Sequence, residues 1–312
     1  MPESLIEAVR YFSDLDVCHN YMVSIKWPDG KIVCPKCGGD KIGEIKSRKM
    51  LQCKAKGCRK QFSAKVGTIF EDSSLPLSSW FVAVWCIVNA KNGISSCELA
   101  RALDVQQRSA WHMLHRIRLA LRAKTFQKIS GTIESDESFF GGAAKFMHKE
   151  RREKMIKGRG AVGKTIAHGI LERGGDVVVD VVPDQRKKTL QDRVRKHVAP
   201  GSFLFTDSLR SYEGLDGEFV HRMVDHAREY VRGLVHTNGI ENFWSLVKRC
   251  TKGTYVRPSP WHLFRYLDEE AWRFNKRRVN DGERFKIAMQ GIVGNRLTYA
   301  ELTGKEDDKE GK

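Results

Sequence analysis

Three acidic residues on three segments of the C-terminal half are placed for metal-dependent phosphate chemistry: Asp136, Asp207 and Glu241. Asp136 lies in a stretch where Ile133 and Ser135 alternate with Glu134 and Asp136, a strand pattern that puts the two carboxylates on one face. Asp207 ends the short apolar run Ser202–Asp207. Glu241 opens an amphipathic helix whose apolar stripe is Phe243, Trp244 and Val247, with Leu246 at its edge, and Lys248 follows it by two turns on one face. Carboxylates brought together can share divalent ions roughly 3.5–4 Å apart, a pair that clamps the attacking and leaving oxygens in phosphoryl transfer. Lys248 then suits a phosphate contact. Asn238, one turn before Glu241, offers an amide oxygen to the same ions. Glu137 is adjacent to Asp136, but alternation turns it to the other face of the strand, so Asp136 is preferred.

A second constellation lies near the N-terminus. Cys34-Pro35-Lys36-Cys37 is followed, after fifteen residues, by Cys53-Lys54-Ala55-Lys56-Gly57-Cys58. Two short turns that each present two thiolates, joined by a hairpin-length spacer, predict a tetrahedral zinc site rather than two disulfides. Gly38, Gly39 and Gly57 supply the permissive backbone that such turns need. The four other cysteines, Cys18, Cys86, Cys97 and Cys250, lack this spacing and read as buried thiols.

The elements that position these groups follow from periodicity. Trp80, Phe81, Val84, Trp85 and Val88 predict a first helix after the ribbon, ended by Asn92-Gly93, and Ser95 is placed as the N-cap of a second covering Leu99, Ala100 and Leu103. Gln107–Leu121 predicts a third, with Trp111, Leu114, Ile117 and Leu121 on one face and Gln107, Arg108, His112, His115, Arg116, Arg118 and Arg122 on the other. Three short helices with a tight second turn and a basic third helix read as helix-turn-helix, with a plain helical bundle as the alternative. The candidate DNA contacts are Gln107, Arg108, His112 and Arg116, joined by Lys248 and Arg249. Trp261, Tyr266 and Trp272 recur at near-helical spacing and read as core.

In the C-terminal half, strands at Ile133–Asp136, Ile166–Leu171 and Val177–Val182 precede a helix at Thr189–Val198, a fourth strand ending at Asp207, a fifth at Phe219–Val224, and then helices. That order is RNase H-like, with the first and fourth strands side by side. The fold class expected is multidomain α+β. Residues 1–27 form a helical lead-in, 28–72 a zinc ribbon, 75–125 the helix-turn-helix region and 129–290 an RNase H-like α/β catalytic domain, with 303–312 a disordered charged tail.

Charge agrees with a nucleic-acid partner. The 312 residues carry 55 Lys+Arg against 38 Asp+Glu, a net +17. The excess is confined to three places: +9 from Lys26 to Lys65, +6 in the Ala143–Lys164 stretch and +6 from Lys248 to Arg278. The remainder is net acidic. The composition, 41% hydrophobic and 9% aromatic, excludes disorder throughout the chain. No apolar run reaches the ~18 residues of a membrane span, and the opening MPESLIEAVRYF lacks the pattern of a secretory signal, so a soluble, cytoplasmic protein without membrane association is expected.

Across nearly its whole length the chain resembles bacterial insertion-sequence transposases of the ISXO-like, zinc-ribbon DDE group. The resemblance is carried by Trp27-Pro28-Asp29-Gly30, the Cys pairs, Cys58-Arg59-Lys60-Gln61-Phe62-Ser63, Ala110-Trp111-His112, Asp136-Glu137, Phe140-Gly141-Gly142, Thr206-Asp207, His236-Thr237-Asn238, Glu241-Asn242-Phe243-Trp244, Lys248-Arg249, Gly253-Thr254-Tyr255 and Tyr266-Leu267-Asp268-Glu269 with Arg273-Phe274-Asn275. It implies an RNase H-like domain that uses Mg2+ or Mn2+ to cut and join double-stranded DNA, with Asp136 and Asp207 as the first and second acids. The third is Glu241 or Asn238, which differs among subgroups. It implies no covalent protein–DNA intermediate, although Tyr255 raises the tyrosine-recombinase alternative. Pairing of two transposon ends implies a homo-oligomer. A DNA-binding regulator with an inactive RNase H-like domain and a nuclease that cuts without joining are the competing readings.

Overall fold

The computed structural model describes residues 1–122, 127–141, 148–150, 153, 163–224, 236–256 and 258–305. Most of the basic Ala143–Lys164 stretch lies outside these residues, as does the tail beyond Lys305. The chain forms two compact units: Met1–Arg122 together with Arg278–Lys312, and Ala123–Arg277.

The first unit opens with helices α1 (Leu5–Ser13) and α2 (Leu15–Lys26), capped by Ser4 and Asp14, whose side chains accept the amides of the first turns. An antiparallel sheet of β1 (Ile42–Ile45), β2 (Met50–Cys53) and β3 (Gln61–Phe62) follows. Next come α3 (Leu77–Asn89), α4 (Ser96–Leu103) and α5 (Gln107–Leu121). Ser95 and Glu98 close a reciprocal capping box on α4, and Asp104 adopts a left-handed φ of 52° to turn the chain into α5. The Ser95 cap agrees with the sequence pattern.

The ending of the chain differs from expectation. Helix α9 (Asp281–Gln290) and the residues after it belong to this first unit, not to the C-terminal domain that was expected to run to 290. Phe285 of α9 stands at the centre of an aromatic cluster with Phe12, Phe81 and Trp85, at ring-centroid distances of 5.0, 6.1 and 5.7 Å. The segment beyond it returns along residues 67–72, with Ile69 donating to the Ile292 carbonyl and Gly294 to that of Gly67. A short helix α10 (Tyr299–Thr303) closes the unit.

The second unit is a five-stranded sheet in the order β6-β5-β4-β7-β8, built from β4 (Thr132–Phe140), β5 (Thr165–Glu172), β6 (Val177–Val182), β7 (Phe203–Asp207) and β8 (Val220–Val224). The pairs β4–β5 and β5–β6 are antiparallel; β4–β7 and β7–β8 are parallel. The first and fourth strands are thus neighbours. Helix α6 (Lys187–His197) covers one face through Leu190 and Val194, packed with Ile133, Ile170 and Leu204. Helices α7 (Asn238–Lys252) and α8 (Leu263–Asn275) cover the other through Ile240, Phe243, Trp244, Leu263 and Leu267, packed on Ala167, Leu171, Val177 and Val179. A sheet clad on both faces explains why β5 and β6 read as continuous apolar runs.

Candidate active site and zinc centre

The thiols of the first unit are assembled by two turns. Gly38 takes a φ of 70° after the first pair and Gly57 one of 84° inside the second, both in the left-handed region. The Lys36 amide points at the Cys34 sulfur and the Ala55 amide at that of Cys53, each at 3.4 Å. Cys34 Sγ lies 3.7 Å from Cys58 Sγ, and Cys37 Sγ lies 3.6 Å from Cys53 Sγ. A disulfide brings sulfurs to about 2 Å. Sulfurs on a tetrahedron ~2.3 Å from zinc stand roughly 3.8 Å apart, so the donor set and its spacing fit zinc. Among the described residues this is the one set of three or more Cys, His, Asp or Glu side chains whose ligand atoms all lie within 4.8 Å of one another.

In the second unit, the alternation of β4 divides its polar residues between two environments. Glu134 and Asp136 share the face toward α7; Ser135 and Glu137 share the face toward α6. The parallel register pairs Ser135 with Thr206, which brings Asp136 level with Asp207 on the neighbouring strand. Asp207 accepts the Leu209 amide at 3.1 Å, fixing the chain where β7 ends. On α7, Asn238, Glu241, Lys248 and Arg249 are all exposed, while Ile240, Phe243, Trp244 and Val247 are buried. Thr237 Oγ1 donates to Glu241 at 3.2 Å.

The groups sense one another electrostatically. Burial first, and then the negative charge of Asp207, push the Asp136 carboxyl up to about 6. Glu241 acts in the same direction, whereas the Glu137 amide and the Lys248 ammonium oppose the rise. Asp136 is partly buried, and the charges of Asp207, Glu241 and Lys248 all act on its carboxyl. Asn238 lies at the start of the same helix.

Glu137 is engaged elsewhere. Its carboxylate accepts from the Tyr212 hydroxyl and, at 2.9 Å, from Gln185 Nε2. Tyr212 in turn meets Ser135 Oγ and His168 Nε2, both at 3.2 Å. Burial holds the Glu137 carboxyl up at about 7 and drives His168 down to about 3. This network stands under the strand, on the face opposite Asp136.

One residue of the site escaped the sequence reading as a functional group. Glu134 is fully buried. Its Oε1 accepts from Arg173 Nε at 2.9 Å and its Oε2 accepts the Ile240 amide at the same distance. Arg173 also donates to the His236 carbonyl at 2.9 Å and lies over the Phe205 ring. Thus the first turn of α7 is fastened to the strand that carries Asp136. A second such feature is Gly169, which pairs with Asp136 across β4–β5. A Cβ there would stand 2.7 Å from Trp244 and 2.9 Å from Ile240, so its lack of a side chain lets α7 approach the sheet.

The expected DNA-reading face of α5 is changed by the C-terminal return. Gln107 and Arg108 are exposed. Arg116 is 6% exposed and donates to the carbonyls of Leu297 and Glu71, both at 2.8 Å. His112 Nε2 is 3.2 Å from the Leu297 carbonyl oxygen, and Arg108 reaches the Tyr299 hydroxyl at 2.9 Å while stacking on its ring. Of the four α5 candidates, Arg116 is therefore enclosed within its own unit and His112 half-enclosed. His115 and Arg118, also on the expected polar face, are fully buried. Tyr266 and Trp272 are core residues as expected, but Trp261 is 73% exposed, contrary to its assignment as core.

A zinc ribbon preceding a sheet unit with an acidic centre defines a class of DNA-processing protein. Residues 128–275 match the ISXO2-like transposase domain and residues 14–61 the transposase zinc-ribbon domain. The chain belongs to this transposase family. It is 37% identical over 115 residues to an "Uncharacterized transposase-like protein" of Haemophilus influenzae, covering 36% of this chain and 91% of the relative. It is 28% identical over 243 residues to an "Uncharacterized protein in transposable element ISH50" of Halobacterium salinarum, covering 74% of this chain and 81% of the relative. Among the described residues no helix is long and apolar enough to cross a membrane.

Proposed function

We propose that this chain is a DDE-type DNA transposase that binds transposon ends, cleaves a strand there and joins the freed end to target DNA. The observation that carries the reading is the parallel register of β4 and β7, which brings Asp136 level with Asp207, together with the bond from the Ile240 amide to Glu134 that fastens the helix bearing Glu241 and Lys248 to β4. The order β6-β5-β4-β7-β8, with three antiparallel strands followed by two parallel ones, supports an RNase H-like catalytic domain. The helices α3, α4 and α5 with the left-handed turn at Asp104 support a helix-turn-helix region, and the exposed Gln107 and Arg108 remain its candidate base contacts.

The donor set fits hard divalent cations. Burial and the neighbouring charges disfavour ionised Asp136, a penalty that bound cations remove. Asp136, Asp207 and Glu241 would hold such ions, with Asn238 as an additional oxygen donor. Mg2+ or Mn2+ bound there would supply Lewis acidity to the phosphoryl transfer. Lys248 and Arg249 hold phosphates beside the carboxylates. A water oxygen then forms a bond to the scissile phosphorus as the 3′-oxygen leaves and takes a proton. The resulting 3′-hydroxyl attacks a target phosphate in the same sense, displacing the target's own 3′-oxygen. No protein side chain becomes attached to DNA. Tyr255 is unsuited to a nucleophile's role because its hydroxyl donates to buried Glu269. The thiols of Cys34, Cys37, Cys53 and Cys58 hold a structural zinc. Work on paired ends calls for a homo-oligomer, acting in the cytoplasm.

The test is strand transfer on a terminal-repeat duplex with Mg2+. Asp136→Asn is expected to abolish the reaction while DNA binding survives; full activity in that variant overturns the assignment. Binding without any metal-dependent cleavage by the wild type would favour the regulator reading.

A further inference from the structure

The stretch joining α7 to α8 presents large apolar side chains to solvent. Val256 is 74% exposed, Trp261 73% and Phe264 38%. A tryptophan this exposed is unusual in a folded domain, where its ring is normally the most heavily buried surface a residue offers. The residues on either side of Trp261 are anchored. Tyr255 donates its amide to the Cys250 carbonyl at 3.0 Å and packs its ring on Tyr266 at 4.8 Å. Leu263, two residues after Trp261, is buried in the core under α7 and α8. Pro260 opens a short 3-10 turn, Pro260–His262, closed by the His262 amide on the Ser259 carbonyl. Trp261 is therefore held outward by anchors on both sides. Val256 has a φ of 58°, a left-handed conformation costly for a β-branched residue, and nothing apolar is gained there by way of burial.

Cations accompany this patch: Lys252, in the last turn of α7, is exposed, and Tyr255 beyond it packs on Tyr266 at the start of α8. The acids in the interval are withdrawn: Glu269 and Glu270 are buried on Arg273, and Asp268 lies mostly covered beside Arg265. Arg265 also lies over the Phe264 ring at 4.8 Å. An exposed aromatic face beside Arg265 and Lys252, with the described acids between Lys252 and Arg273 covered, suits a strand whose bases stack while its phosphates pair with lysine and arginine.

We propose that Trp261, supported by Phe264 and Val256, is a stacking platform for unpaired nucleobases of the DNA strand that α7 holds by its phosphates. The inference rests on the DNA-processing role proposed above and extends it, since it specifies unpaired rather than duplex DNA at this surface. Fully paired bases are stacked on one another and offer no face to Trp261. A strand opened at a cleavage site does.

The test uses the full-length protein and an oligodeoxynucleotide of about 20 nucleotides containing 2-aminopurine, alone and annealed to its complement. The wild type is expected to quench the single strand's fluorescence on binding. Trp261→Ala is expected to lose that quenching and about ten- to a hundredfold in single-strand affinity, with duplex affinity within about twofold of wild type. Trp261→Phe, which retains a stacking face, is expected to keep most of both. Wild-type single-strand affinity and quenching in Trp261→Ala would overturn the proposal. So would a change of oligomeric state with DNA binding untouched, which would make the patch a contact between copies. Trp261-dependent stacking in a protein that never cleaves DNA with Mg2+ would leave this proposal standing and overturn the transposase mechanism instead.

Discussion

Glu134 Oε2 accepts the Ile240 amide at 2.9 Å, joining strand β4 to the first turn of helix α7 across a separation of 106 residues. Because Asp136 follows Glu134 by two residues and Glu241 follows Ile240 by one, this bond sets the distance between the first and third acids of the proposed centre.

Glu134→Ala should remove the acceptor for both the Ile240 amide and Arg173. A buried amide left without a partner and an ion pair broken from one side together cost roughly 2–4 kcal/mol. Activity is expected to fall further than stability does, since α7 is no longer held at its first turn. Glu134→Gln, which keeps an acceptor, should retain the fold and show an increased Mg2+ requirement. Calorimetry with a metal titration of cleavage tests both variants; an unchanged Mg2+ requirement in the Gln variant contradicts the positioning role.

Asp136→Asn should stabilise the metal-free protein while destroying its activity. The Asp136 carboxyl ionises near 6 in the fold and near 3.8 in the unfolded chain, so the fold binds this proton more tightly. Stability contributed by that difference is full below the unfolded value and lost as pH rises through the window from about 4 to 6. Above it, the ionised form costs about 3 kcal/mol, which asparagine removes. Thermal unfolding in chelator at pH 7.5 measures the gain, and a lower melting temperature for the variant would refute it.

Acid should act through His168 in the opposite sense. Its imidazole is held neutral down to about 3 by burial, with Arg193 and His197 adding to the effect, whereas in the unfolded chain it protonates near 6.5. Its contribution is full above 6.5 and declines as pH falls toward 3, by roughly 2 kcal/mol at pH 5. His168→Gln is expected to be less stable at pH 7 but to lose less on acidification. An equal loss between pH 7 and pH 5 in both proteins would exclude the linkage.

Cys34→Ser should reduce bound zinc from one ion per chain to a small fraction and unfold the ribbon around β1, β2 and β3. Elemental analysis of the purified protein and proteolysis within residues 28–62 report the two effects. A metal-free wild type with an intact ribbon would contradict the zinc assignment.

Gly169→Ala should cost about 1–3 kcal/mol, because its Cβ would enter the space of Trp244 and Ile240 and push α7 from the sheet. Cleavage should fall with it, since α7 carries Glu241 and Lys248. Wild-type melting and wild-type cleavage would together show that α7 repacks without loss.

What could be read from the sequence was what depends on local order. Alternation placed Glu134 and Asp136 on one face of β4, the stripe of Phe243, Trp244 and Val247 oriented α7, and the Cys spacing defined the thiol cluster. What escaped was set by contacts distant in the chain. Nothing near Arg116 reveals that Leu297, 181 residues later, will accept from its guanidinium, so the face of α5 read as more open than it is. Trp261 was misread for a related reason: near-helical spacing with Tyr266 and Trp272 suggests a shared face, but Trp261 lies in a 3-10 turn before α8 begins, where that periodicity does not hold. Glu134 was seen as a carboxylate on the correct face, yet its role depends on Arg173 and Ile240, which only the folded sheet brings to it.

The return of Arg278–Lys312 to the first unit has a consequence for the chain as it is made. That unit lacks Phe285 at its centre, and the segment that covers Arg116, until synthesis has passed the whole of Ala123–Arg277. Synthesis runs from the N-terminus, and domains generally fold as units while it proceeds. The five-stranded sheet unit, contiguous in sequence, is therefore complete and able to close first, although it is encoded second. The first unit finishes last, so a chain truncated before about residue 300 would carry a whole second unit beside an unfinished first one.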